Sequence, residues 1–115
     1  MVYIGKELRM RVIIVETNEE PYIENIWNNL KNMRKKIGNT ALEVLECEDI
    51  LIIFDSKALE ENLPINRYFN DLAIRGTFII SGNNLEELDF IGLTDEQVDK
   101  YMEMFKLDRE EDMEL

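Results

Sequence analysis

The sequence contains no histidine, so the side chain that most often moves protons near neutral pH is missing. Nucleophile pairs built on histidine go with it, and neither Ser56 nor Ser81 has a base to activate it. The single cysteine, Cys47, excludes an internal disulfide and a cysteine-clustered metal site, and it fits a reducing compartment. Cys47 stands between Glu46 and Glu48, whose charge opposes thiolate formation, so it reads as a small half-buried side chain rather than a nucleophile. Glycine is sparse, and neither Gly76 nor Gly82 has the spacing of a phosphate-cradling loop before a helix. Carboxylates are plentiful, yet the twelve-residue calcium-loop pattern is absent. The expectation is a protein that is not an enzyme and holds no cofactor and no metal.

Long apolar runs are missing too. The longest, residues 50–54 (Ile-Leu-Ile-Ile-Phe), falls far short of the roughly 20 residues needed to cross a bilayer. The first ten residues carry Glu7 and lack a small-residue cleavage site behind an apolar stretch, so no signal peptide is expected and the chain is placed in the cytoplasm. Basic residues are in the minority, 13 against 25 acids, for a formal net charge of −12. Such a field repels nucleic acid and anionic membrane and favours encounter with a basic protein partner. Five acids and one arginine in residues 108–115 contribute −4 of that total. This segment is expected to be an acidic, disordered tail on one α+β domain spanning residues 1–107.

With 45% hydrophobic and 33% charged residues, the chain has the composition of a folded domain. Residues 11–16 (Arg-Val-Ile-Ile-Val-Glu) are a β-branched run of strand length, and Tyr22 and Ile23 resume an extended segment that can pair with it as a hairpin. Between residues 26 and 37, Ile26, Leu30, Met33 and Ile37 fall on one helical face, with Trp27 beside the first. Gly38 supplies the stop, and Lys31, Arg34, Lys35 and Lys36 suit the carbonyl end of that helix. Residues 41–47 and 50–55 read as two strands joined at Glu48-Asp49, the second apolar on both faces and therefore central.

A polar helical turn over residues 57–62 and the break at Pro64 lead into an irregular connection through Ile65 to Phe69. Residues 76–81 form the last strand, ended by Gly82, Asn83 and Asn84, and a loop with Leu85, Leu88, Phe90 and Ile91 lies over the core. Thr94 and Gln97 have the spacing of a capping box, Leu93 and Val98 that of a hydrophobic staple, and Val98, Tyr101, Met102 and Phe105 form a buried face of a helix ending near Lys106. The fold class is α+β: a mostly antiparallel sheet of four to five strands with two helices packed on it.

Two constellations stand out. Asn66, Arg67 and Tyr68, with Arg75 close in sequence, place arginine beside an aromatic in a connection, a contact for an anion or planar ligand; alternatively Arg67 pairs with Asp71 and locks the loop. The second is the acidic surface of Glu43, Glu46, Glu48, Asp49, Glu60, Glu61, Glu86, Glu87 and Asp89, which grouped on one side would imitate a run of phosphates and scattered would be a solvated coat.

The segments Glu-Pro-Tyr-Ile, Leu-Pro-Ile-Asn-Arg, Gly-Thr-Phe-Ile-Ile-Ser-Gly and Leu-Thr-Asp-Glu-Gln-Val-Asp-Lys-Tyr, in this order, resemble a family of small proteins known as a domain of unknown function in Firmicutes, their phages and conjugative elements. The likeness runs from about Met10 to Phe105, and the connection from Tyr68 to Arg75 is shorter here than is usual in that family. The resemblance implies a phage or mobile-element setting, with the host cytoplasm as the compartment. Combined with size and charge, it gives as expected function a non-enzymatic inhibitor of a host defence system, of the anti-CRISPR type, that covers a basic nucleic-acid-binding partner. The alternatives are a protein that sequesters a small nucleotide signal near Arg67 and an accessory or regulatory protein of a mobile element. Self-association is left open, and neither direct nucleic-acid binding nor membrane binding is expected.

Overall fold

The β-branched run builds the first strand, β1 (Arg9–Val15), in which Val12, Ile13, Ile14 and Val15 are all fully buried. Four consecutive buried residues in a strand require cover on both faces, because successive side chains point to opposite sides. The computed structural model describes residues 9–38, 41–84 and 89–107, and the acidic segment 108–115 lies outside them. β1 pairs antiparallel with β2 (Tyr22–Trp27), Ile13 opposite Ile23 and Arg9 opposite Trp27, as the hairpin expectation had it.

The strand is longer than the apolar spacing indicated. Ile26 and Trp27, read as the first turn of a helix, belong to β2, and helix α1 covers Leu30–Ile37. Ile26 sits opposite Met10 and is buried on the strand's own period of two, so its match to the helical face of Leu30 and Met33 was a coincidence of two periodicities. The start of α1 is fixed locally, since the Asn29 side chain accepts a hydrogen bond from the Asn32 N–H at 2.9 Å. Gly38 ends it at φ 88°, donating its N–H to the Arg34 carbonyl.

β3 (Leu42–Cys47) and β4 (Ile50–Asp55) form the second hairpin, turning at Glu48 with φ 54°. β4 is central, between β3 and β7 (Phe78–Asn84), and its Ile50, Ile52 and Ile53 are fully buried. The connection expected to be irregular is a third hairpin, β5 (Ile65–Phe69) with β6 (Leu72–Arg75), forming a two-stranded sheet of its own. Asn70, at φ 58°, takes up the tight turn that asparagine tolerates well. Gly82, Asn83 and Asn84, expected to end β7, continue it and pair with β8 (Asp89–Ile91). Glycine permits this pairing because a Cβ on Gly82 would stand 2.9 Å from the Gly92 carbonyl oxygen. The main sheet therefore has six strands, in the order β2-β1-β7-β4-β3 with β8 beside β7, rather than four or five, and every pairing in both sheets is antiparallel.

Each face of the main sheet has its own core. On one, Ile13, Val15, Ile50, Ile52, Phe78 and Ile80 pack against Val98, Tyr101 and Phe105 of the second helix, α2 (Asp95–Met104, capped by Phe105), and against Ile74 of β6. On the other, Val12, Ile14, Ile53 and Ile79 pack against Met33 of α1. Burying one such aliphatic side chain is worth roughly 1.5–3 kcal/mol, which explains why residues 12–15, 50–54 and 78–80, the stretches of β1, β4 and β7 that cross the core, are apolar throughout. Thr94 and Gln97 close the expected capping box at the start of α2. None of the described helices is long and apolar enough to cross a membrane.

Candidate functional site

The pair Asn66-Arg67 lies on β5, where a register shift between Ile65 and Arg67 turns both side chains toward the body of the protein. The Asn66 amide donates to the carbonyls of Val15, at 2.9 Å, and Gly76, at 2.8 Å, joining the small sheet to the end of β1. Arg67 donates from Nε to the Phe105 carbonyl at 2.8 Å, from Nη2 to the Glu19 carbonyl at 2.6 Å and from Nη1 to Asn66 Oδ1 at 2.7 Å. Its fork thus ties three separate segments: the turn after β1, β5 and the end of α2. Burial lowers the guanidinium's pKa and the charge of Glu20 opposes that, but an arginine of this kind stays charged. Arg75 reaches the Leu63 carbonyl at 2.8 Å, and Tyr68 stands exposed on the outer side of the hairpin. The four residues singled out as one ligand contact are therefore near one another in the chain while Asn66, Arg67 and Arg75 point their donors into backbone carbonyls.

The acidic residues occupy several places. Glu43 is on the α2 side of edge strand β3, opposite Phe54, whereas Glu46 is on the α1 side, opposite Leu51, where its Oε2 accepts from the Asn83 amide at 2.9 Å. Glu48 and Asp49 form the turn at one end of the β3–β4 hairpin, and Glu60 and Glu61 lie in the turns beyond the other. Asp89 opens β8 opposite Asn84, while Glu86 and Glu87 lie outside the described residues.

The coherent negative surface is on α2, whose acids belong to neither constellation drawn from the sequence. Its outward side carries Glu96, Asp99 and Glu103, together with Asp95, which is paired with Arg11 at 2.9 Å, and Lys100 is the helix's one cation. The Gln97 amide, on the same helix, donates to Asp49 Oδ2 at 2.7 Å and so holds the β3–β4 turn and its carboxylates beside the acidic helix. At the other end, Asp99 and Glu103 line a shallow depression with Glu20. The spacing of Asp95, Asp99 and Glu103, each four residues apart, was the available signal. Across the sheet, helix α1 has the opposite sign, carrying Lys31, Arg34, Lys35 and Lys36 and no acid.

Two groups besides Arg67 have their pKa shifted for reasons visible in the packing. Burial, and secondarily the charge of Glu48, pushes the Cys47 thiol up, which keeps it protonated and unreactive. Tyr22 is pushed up from 10.0 to about 12 by burial, by its 2.8 Å hydrogen bond to Glu16 Oε2 and by the charges of Glu16 and Glu24. Below pH about 10 this phenol is neutral in the folded and unfolded chain alike, and its contribution to stability is fully present. Between about 10 and 12 the unfolded chain ionises first, so stability falls as pH rises. Urea titrations across that interval should show a steeper loss for the wild type than for Tyr22→Phe, the difference isolating this residue from the other tyrosines.

No curated protein and no solved structure matches the chain. Residues 10–106 do match a protein family, described as a domain of unknown function, DUF3846. This span begins inside β1, runs through both core-forming helices and the Asn66-Arg67 tie, and ends one residue past the α2 cap, so the whole described fold is the family's domain and the chain belongs to the DUF3846 family.

Proposed function

We propose that the protein is a non-enzymatic inhibitor, carried by a phage or mobile element, that covers a basic nucleic-acid-binding partner from a host defence system. The observation that carries this reading is the outward side of α2, where Glu96, Asp99 and Glu103 project, beside the Arg11–Asp95 pair, from a helix anchored by Val98, Tyr101 and Phe105. Rigid anchoring matters because carboxylates held in place lose little further freedom when a partner arrives. Charge of one sign on a fixed surface also steers a basic partner and rejects competitors of like sign. The defence-system target rests on the net charge of −12 and the mobile-element setting that the sequence resemblance implies.

The test is the double reversal Asp99→Lys with Glu103→Lys, followed by capture from host lysate at low and high salt. Wild type should retain a basic nucleic-acid-binding protein at low salt and release it as ionic strength rises. The double reversal should weaken that complex roughly tenfold or more, while the melting temperature barely moves because both side chains are exposed. Retention of the same protein by both forms would remove α2 as the interface.

A further inference from the structure

The few cations of this acidic chain are gathered. Four of the thirteen stand on α1, and Arg9, at the start of β1, extends the group toward β2. Along the open edge of β2, beside α1, the surface forms a cleft of about 520 Å³ bordered, among the described residues, by Arg9, Glu24, Trp27, Asn32, Lys35 and Lys36, with Arg9 and Trp27 reaching it from the α2 face of the sheet and Glu24 from the α1 face. Among the described residues Glu24 is the cleft's one acid, and it is engaged by Lys36 at 2.7 Å. Arg9 and Lys35 have no carboxylate partner among the described residues, which leaves the cleft with a net charge of +2 in a molecule of −12.

Trp27 supplies the second, independent feature. The Arg9 guanidinium lies over its indole, 5.3 Å from the ring centroid, yet the residue remains 44% exposed at the sheet's edge. A large aromatic surface left in water beside uncompensated cations suits a ligand that is flat at one end and anionic at the other. We propose that this cleft binds a nucleoside phosphate, with the base against Trp27 and the phosphate against Arg9 and Lys35.

Size and electrostatics favour a single nucleotide over a polymer. The volume lies in the range of small-ligand sites. At physiological salt, charges are screened beyond about 8 Å, so a small anion inside the cleft is governed by the local cations, whereas a strand running past them meets the acidic remainder of the surface. The site is separate from Arg67 and from the acidic side of α2, and it does not depend on the inhibitor reading.

Trp27 is the only tryptophan, so its emission reports the cleft directly. Titration with adenosine monophosphate should give a saturable change, with adenosine alone and inorganic phosphate alone each weaker by roughly tenfold or more. Arg9→Ala with Lys35→Ala should reduce affinity for the nucleotide by at least roughly tenfold while leaving the melting temperature close to wild type. Trp27→Phe, read by calorimetry, should weaken nucleotide binding and leave phosphate binding unchanged. The proposal is overturned by the absence of a saturable signal at millimolar nucleotide, by phosphate binding as tightly as nucleotide, by full affinity in the Arg9→Ala/Lys35→Ala variant, or by an oligonucleotide outcompeting the monomer.

Discussion

Arg67→Ala should lower stability by about 3 kcal/mol, although the residue lies on the smaller of the two sheets and near the surface. The side chain donates to the carbonyls of Phe105 and Glu19, 38 and 48 residues away from it in sequence, and to the side chain of the neighbouring Asn66. A hydrogen bond from a charged donor contributes about 1.5–3 kcal/mol, and its loss leaves the acceptor to find water instead. Three such bonds would exceed the figure given, but the bond to Glu19 is exposed and the other two are only part-buried, so water replaces some of what is lost. Thermal melts should register a drop on the order of 10 °C. Lysine should restore less than half of this, because one ammonium cannot place its donors along three diverging directions as the planar fork does. If Arg67→Ala melted within a degree or two of wild type, the tie between the hairpin and α2 would be energetically idle, and a ligand-binding role for Arg67 would regain ground.

The parts of the fold legible in the sequence were those fixed by local rules. Thr94 and Gln97 marked the start of α2 because a capping box needs only four consecutive residues, and Gly38 marked the end of α1 because few other residues accept a left-handed backbone. The double-sided apolar run Ile50 to Phe54 announced a central strand for a similar reason: its pattern admits little else. Failures came where distant partners decide. Gly82-Asn83-Asn84 has turn composition, and only the approach of β8, with the Gly92 carbonyl against Gly82, makes it strand. Ile26 satisfies a helical and an extended period equally well, and pairing with Met10 settles the matter.

The candidate surfaces show the same division. That Asn66 and Arg67 matter was visible in their types and position; that their partners are Val15, Gly76, Glu19 and Phe105 depends on a hairpin docking that no short window encodes. The acids of β3 looked like a cluster in the linear sequence, yet alternation sends Glu43 and Glu46 to opposite faces. Conversely, the charges of α2, spaced four apart, fall together because the helix buries its other side.

Phe105 is where these threads meet, and Phe105→Ala should be the most damaging single substitution, at about 3–5 kcal/mol. Its ring is 1% exposed, meets Phe78 edge-on at 5.3 Å and lies tilted against Phe69 of β5 at 6.2 Å. Removing it leaves a cavity among the main sheet, α2 and the hairpin, and loses aromatic contacts on two sides. The backbone carbonyl that Arg67 binds remains in the variant, but the side chain that holds it in position does not. A double-mutant cycle with Arg67→Ala should therefore be less than additive, by about 1–2 kcal/mol, because once the end of α2 has loosened the arginine has less to hold. Equilibrium urea unfolding of the four proteins measures this coupling. Strict additivity would mean that the aromatic contact and the guanidinium tie secure the hairpin independently; a coupling of the size expected makes the end of α2 one cooperative joint, on whose rigidity the acidic surface of the same helix depends.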